Sequence, residues 1–158
     1  MISGHGLFLV CVSLLAAWVL AWVPLPGLWA FGRPDLVALI ILYWAYRHPD
    51  RIGVLAAWGM GLVTDLMLGT HLGTHAMAYA IMTYFLLNVQ HRFRLYGMLQ
   101  QSLVVFLLTG IAIMVRHWIN QLTGVPARDL MFMLGAFGSA LFWPFVRYTL
   151  DYMGGRTL

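Results

Sequence analysis

The chain has 158 residues, of which 62% are hydrophobic and 9% charged, and its formal charge is +4. Soluble domains carry about 25% charged residues, and no soluble fold of this length hides so much apolar surface, so the expected solvent is lipid. All nine cationic residues are Arg and all five carboxylates are Asp, which removes P-loop and Schiff-base chemistry for want of Lys, and no basic patch interleaved with aromatics on a polar face points to nucleic acid.

Six apolar stretches follow one another. The first, Leu7–Val23, is longer than the apolar core of a signal peptide and has no Lys or Arg before it, so it reads as an uncleaved span. It holds the lone Cys11, which excludes an intrachain disulfide or a cysteine-rich metal site. A Pro/Gly/Trp-rich segment, Pro24–Pro34, comes next, with Trp29 and Phe31 suited to a membrane interface. The second stretch, Asp35–Tyr46, starts after Pro34, a residue tolerated where helices begin. It is short, about 18 Å at helical rise. The third is Ile52–Leu68, the fourth Leu72–Gln90, the fifth Tyr96–Asn120 and the sixth Asp129–Tyr148. The expected fold is therefore an all-α integral membrane protein, one domain over residues 1–158, with six transmembrane helices in one bundle.

Arginine placement orients it. Arg47, Arg51, Arg92, Arg94, Arg147 and Arg156 fall on one side, against Arg33, Arg116 and Arg128 on the other. The positive-inside rule puts both termini in the cytoplasm. Small residues are grouped for close helix contact: Gly59 and Gly61, then Ala76, Ala78 and Ala80, then Gly135, Ala136, Gly138, Ser139 and Ala140. Most such contacts lie within a bundle; one small-residue face could instead seat a partner helix or a second copy, which leaves a homo-oligomer open.

One carboxylate, Asp65, lies inside an apolar stretch, where a charge costs roughly 2.5–3.5 kcal/mol on insertion scales. It sits near the turn Gly69–Gly73, with Gly61 one helical turn back. His71 and His75 have i, i+4 spacing, and Arg116, His117, Arg128 and Asp129 arrive at the same level. Three readings stand. In the first, Asp65 is structural, pairing with Arg116 or accepting backbone N–H groups beside the glycine turn. In the second, Asp65, His71, His75 and His117 hold a divalent metal, a weak pattern without the glutamate of a zinc protease. In the third, Asp65 titrates in a proton or solute pathway, although no second intramembrane carboxylate is available to relay a proton. Asp129 reads as a helix N-terminal acid. Tyr43, Trp44 and Tyr46 read as interfacial belt aromatics. None of Ser3, Ser13, Ser102 and Ser139 lies in a Gly-x-Ser-x-Gly elbow, which leaves nucleophilic catalysis with little support, and no cofactor is expected. The stretch Gln90–Tyr96, with Arg92 and Arg94 alternating with Phe93 and Tyr96, reads as a cytoplasmic loop. It is either topogenic charge on anionic lipid or a docking surface.

The ordered series Arg33-Pro34-Asp35-Leu36-Val37, Leu42-Tyr43-Trp44 and His48-Pro49-Asp50-Arg51-Ile52 resembles the rod shape-determining protein MreD family. So do Gly61-Leu62-x-x-Asp65-Leu66-x-x-Gly69-x-x-Leu72-Gly73, Gln100-Gln101-x-Leu103-Val104-Val105 and Trp143-Pro144. The resemblance implies a non-enzymatic scaffold of the bacterial cytoplasmic (inner) membrane. Such a protein pairs with the bitopic MreC and helps link MreB filaments to RodA and a class B penicillin-binding protein, and so to peptidoglycan synthesis. It also implies a fold similar to the S component of energy-coupling-factor transporters. That likeness supplies the alternative function, a small-molecule-binding transporter subunit. Against the alternative, the chain has no long polar lid between its first two spans, and its expected cavity residues are apolar and bulky.

Overall fold

Ten consecutive residues, Val37–Tyr46, are buried, so one short helix is covered on every side. A helix that is apolar all round belongs in the middle of a bundle, and the rest of the chain is arranged around it. The structure, a computed structural model, describes residues 4–23, 32–124 and 133–154. Pro24, Trp29, Phe31, Arg128, Asp129 and Arg156 lie outside the described residues. The described residues form six helices and no strand: α1 Gly4–Trp22, α2 Leu36–Arg47, α3 Val54–Leu68, α4 Thr74–Leu95, α5 Met98–Leu122 and α6 Leu134–Gly154. Consecutive helices from α3 to α6 pack side by side, and α2 lies against α1, α4 and α6.

Helix starts and stops follow local chemistry. Asp35 caps α2, its Oδ1 accepting the Ala38 N–H at 3.1 Å, the usual role of Asp before an apolar run. Gly69 ends α3 in the left-handed conformation (φ 65°), which a residue with a Cβ adopts only under strain. Gly97 opens α5, its N–H donating to Gln100 Oε1 at 3.2 Å. Helix α4 runs five residues beyond its expected end at Gln90, because nothing in His91–Leu95 breaks a helix before Tyr96 turns extended. Helix α6 likewise extends past Tyr148, which places Arg147 and Asp151 one turn apart with an ion pair at 3.5 Å.

Only α5 among the described helices is long and apolar enough by itself to cross a membrane; α2 and α3 are apolar but shorter. The outer surface is nonetheless hydrocarbon. Leu55, Leu95, Leu99 and Leu122 are each more than 80% exposed. The polar side chains Thr64, Asp65, Thr83, Gln101, Thr109 and Ser139 are inside. Such an inversion is costly in water.

Close helix approach is local rather than a general property of the small residues. At Gly61 a Cβ would meet backbone of α4, at 2.6 Å from Ala76 N and 2.7 Å from His75 C. At Gly138 a Cβ would run into the carbonyl oxygen of Gly32, just before Pro34. Gly59 faces open space.

Candidate functional site

Two polar clusters sit at opposite ends of α2. The first gathers at the end of the bundle where α3 turns into α4. Asp65 is fully buried, one turn before the end of α3. Its Oδ1 accepts the Thr70 hydroxyl at 2.7 Å and the His75 N–H at 2.9 Å. Its Oδ2 accepts the N–H groups of Gly73 at 2.9 Å, His75 at 3.1 Å and Ala76 at 3.3 Å. His75 Nδ1 lies 2.8 Å from Oδ1, and a carboxylate acceptor there makes Nδ1–H the donor. Gly73, with φ 100°, is the N-cap of α4. Asp65 therefore caps a neighbouring helix: it satisfies three of the N–H groups that a helix N-terminus leaves open and sets a negative charge at the positive end of that helix.

One turn further along α4, the Tyr79 ring meets the His75 ring edge-on, 5.7 Å between centroids. The Tyr79 hydroxyl donates to Asp35 Oδ1 at 3.1 Å. Arg116 of α5 bonds to Asp35 Oδ2 at 2.9 Å. The Asp35 N–H donates to Ser139 Oγ on α6 at 2.9 Å, and that hydroxyl donates to Gly135 O at 2.8 Å. Asp35 thus ties the buried central helix to three others. Its position before an apolar run was the available sequence signal for the cap; nothing along the chain pairs it with Tyr79, Arg116 or Ser139.

The expectation for Asp65 splits accordingly. Its bonds go to backbone N–H groups beside the glycine turn, and Arg116 does not pair with it. Arg116 is taken by Asp35, the carboxylate at the start of α2. No three His, Cys, Asp or Glu side chains among the described residues come close enough to hold a metal ion. His71 precedes α4 instead of sharing its face with His75 and is exposed, and His117 Nε2 lies 3.0 Å from Gln121 Nε2. The four-residue metal arrangement is therefore absent.

The second cluster lies at the opposite end of α2. Tyr43 donates to Asp151 Oδ1 at 2.7 Å, and Arg47 and Arg147 both pair with Asp151. Buried Gln101 donates to Phe93 O at 3.0 Å and Tyr96 O at 3.2 Å, and its Oε1 accepts from Trp143 Nε1 and from Arg147. Arg94 donates to Tyr46 O at 3.0 Å and lies over the Tyr46 ring. Burial together with Arg47, Arg51 and Arg94 holds the His48 imidazole below its usual pKa.

Two expectations change here. Tyr43, Trp44 and Tyr46 are buried core residues rather than belt residues, because α2 is enclosed; Trp44 donates to Ser13 Oγ at 3.0 Å. The Gln90–Tyr96 stretch is not a loop: through Leu95 it is the end of α4. Phe93 is fully buried, 5.9 Å from the Trp143 ring, and Arg94 is bonded inward. Of the four side chains expected to dock a partner, Arg92 and Arg94 stay exposed, and Arg92 makes no part of this network.

The family model for the rod shape-determining protein MreD matches residues 4–153. The chain belongs to the MreD family. The rod shape-determining protein MreD of Haemophilus influenzae is similar to it, with 28% identity over 139 residues, covering 88% of this chain and 86% of the relative. No solved structure matches the chain. The family consists of membrane proteins with a role in determining rod shape and is not a known enzyme family.

Proposed function

We propose that this chain is a six-span, multi-pass scaffold of the bacterial cytoplasmic membrane, with both termini in the cytoplasm, that sets rod shape by binding MreC. Through that contact it helps couple MreB filaments to peptidoglycan synthesis by RodA and a class B penicillin-binding protein. The observation that supports a scaffold is the use made of Asp35 and Asp65. Both carboxylates are bonded to helix N-termini and to neighbouring side chains of the same chain. Groups committed in this way stiffen a bundle and are not presented to a substrate. The Arg bias and the hydrocarbon exterior support the topology.

The test is purification of a tagged copy from native membranes, with mass spectrometry for proteins and small molecules, and rescue of rod shape in cells depleted of their own copy. Copurified MreC and restored rods are the expected result. A retained small molecule with no MreC would favour the transporter-subunit alternative. Orientation is read by single cysteines in a Cys11→Ala background. An impermeant thiol reagent on spheroplasts should label a cysteine at Thr70 and spare those at Asp50 and His91; labelling at Asp50 reverses the topology.

A further inference from the structure

Cations from two elements converge on one histidine at the end of the bundle opposite Asp65. Arg47 ends α2, Arg51 lies in the turn that follows, and Arg94 is in the last turn of α4. The charges of all three act on His48, with Asp50 opposing them. The group is held in place. His48 stacks on Trp44, 5.9 Å between centroids and 16° between planes. Arg94 is pinned by its bond to Tyr46 O and by the Tyr46 ring, 5.9 Å away. The helix ends here turn carbonyls toward this surface and would repel an anion; Arg94 covers one of them. Asp151 takes up part of the Arg47 charge at 3.8 Å, and Arg51 remains exposed.

The helix ends beside these cations carry exposed leucines. Leu95, next to Arg94, is 87% exposed, Leu99 is 88% exposed, and Leu55, four residues after Arg51, is 82% exposed. A free phosphate would use the cations and leave the leucines idle. An amphiphile uses both, its phosphate on the guanidiniums and its chains on the leucines. We propose that Arg51 and Arg94, with Arg47 and His48, bind the phosphate of an anionic phospholipid whose acyl chains lie on Leu55, Leu95 and Leu99. The site is independent of which protein the chain partners.

The experiment is native mass spectrometry of the full chain, titrated with phosphatidylglycerol and with phosphatidylcholine, and repeated with inorganic phosphate as competitor. Phosphatidylglycerol should bind about tenfold more tightly than phosphatidylcholine, from the attraction of a fixed arginine cluster for an anionic headgroup. Arg51→Gln should weaken it roughly fivefold, the equivalent of one arginine near an anionic surface. Arg94→Lys, which keeps charge but loses the fork geometry, should weaken it by about the same factor or less. Arg92→Gln removes the same charge from the same end of the bundle outside the cluster, and should change binding less than about twofold. Equal losses in Arg51→Gln and Arg92→Gln would mean diffuse attraction and overturn the site. So would equal binding of the two lipids. Full competition by inorganic phosphate would reassign the cluster to a soluble anion.

Discussion

Asp65→Ala removes the acceptor of three backbone N–H groups and two side-chain donors at once. Each buried donor left unmet costs about 1–3 kcal/mol, so the three N–H groups of Gly73, His75 and Ala76 set a loss on the order of 3–6 kcal/mol after partial relaxation. Asp65→Asn is a sharper perturbation, because the two carboxylate oxygens face different company. Oδ2 meets only backbone N–H groups, which cannot reverse. Oδ1 meets the Thr70 hydroxyl and His75 Nδ1, which can both turn from donor to acceptor, and also the His75 N–H, which cannot and is shared with Oδ2. An asparagine can place its carbonyl at the Oδ2 position and its NH2 at the Oδ1 position, so that Gly73 and Ala76 keep their acceptor and His75 keeps the longer of its two bonds. What it loses is the charge and the shorter His75 N–H bond, so the expected cost is about 1–3 kcal/mol, below that of Ala. Equilibrium unfolding in mixed micelles, with the wild type and both variants under one condition, measures the two losses. The reasoning is refuted if Asn is as damaging as Ala, or if Ala is as stable as the wild type. Either result would mean that Asp65 does not hold the start of α4 through these bonds.

Other consequences are as direct. A double-mutant cycle on Asp35→Asn and Arg116→Gln should give a coupling of about 1–3 kcal/mol, while Asp65→Asn with Arg116→Gln should be additive within about 0.5 kcal/mol; the reverse ranking, read by the same unfolding assay, would restore the Asp65–Arg116 pair. Gly61→Ala should destabilise by about 1–3 kcal/mol, since the new methyl meets the α4 backbone, whereas Gly59→Ala, which meets open space, should be neutral or stabilising by up to about 1 kcal/mol. The lowered His48 pKa means that the folded state binds fewer protons there than the unfolded state. Its stabilising effect is present above the ordinary histidine range and is lost as pH falls through the folded pKa. Unfolding midpoints at pH 8 and pH 5 should therefore drop more for the wild type than for His48→Gln, and equal drops would remove His48 from the account.

The all-helical fold, the six helices and most of their limits were legible along the chain. The length of the apolar runs is a local signal, and so are the glycine that ends α3 at Gly69, the glycine that opens α5 at Gly97 and the cap at Asp35. The sequence also marked Asp65, because a charge in an apolar stretch demands a reason wherever the stretch folds. Local signals erred where nothing broke the helix, as at the ends of α4 and α6. Partnership and side follow only from how the helices pack. Arg116 was expected beside Asp65, yet its guanidinium pairs with Asp35 at the start of α2, and the glycine turn gives Asp65 to the N-terminus of α4. Tyr43, Trp44 and Tyr46 carry the composition of an interface belt, but α2 is enclosed by other helices and its aromatics pack in the core. Phe93 and Arg94 carry the pattern of a docking loop, but the packing of α4 buries Phe93 against Trp143 and ties the exposed Arg94 to Tyr46 O. A bond between residues 81 positions apart, as between Asp35 and Arg116, has no periodicity to announce it. It exists only once the buried central helix has fixed which helix ends meet.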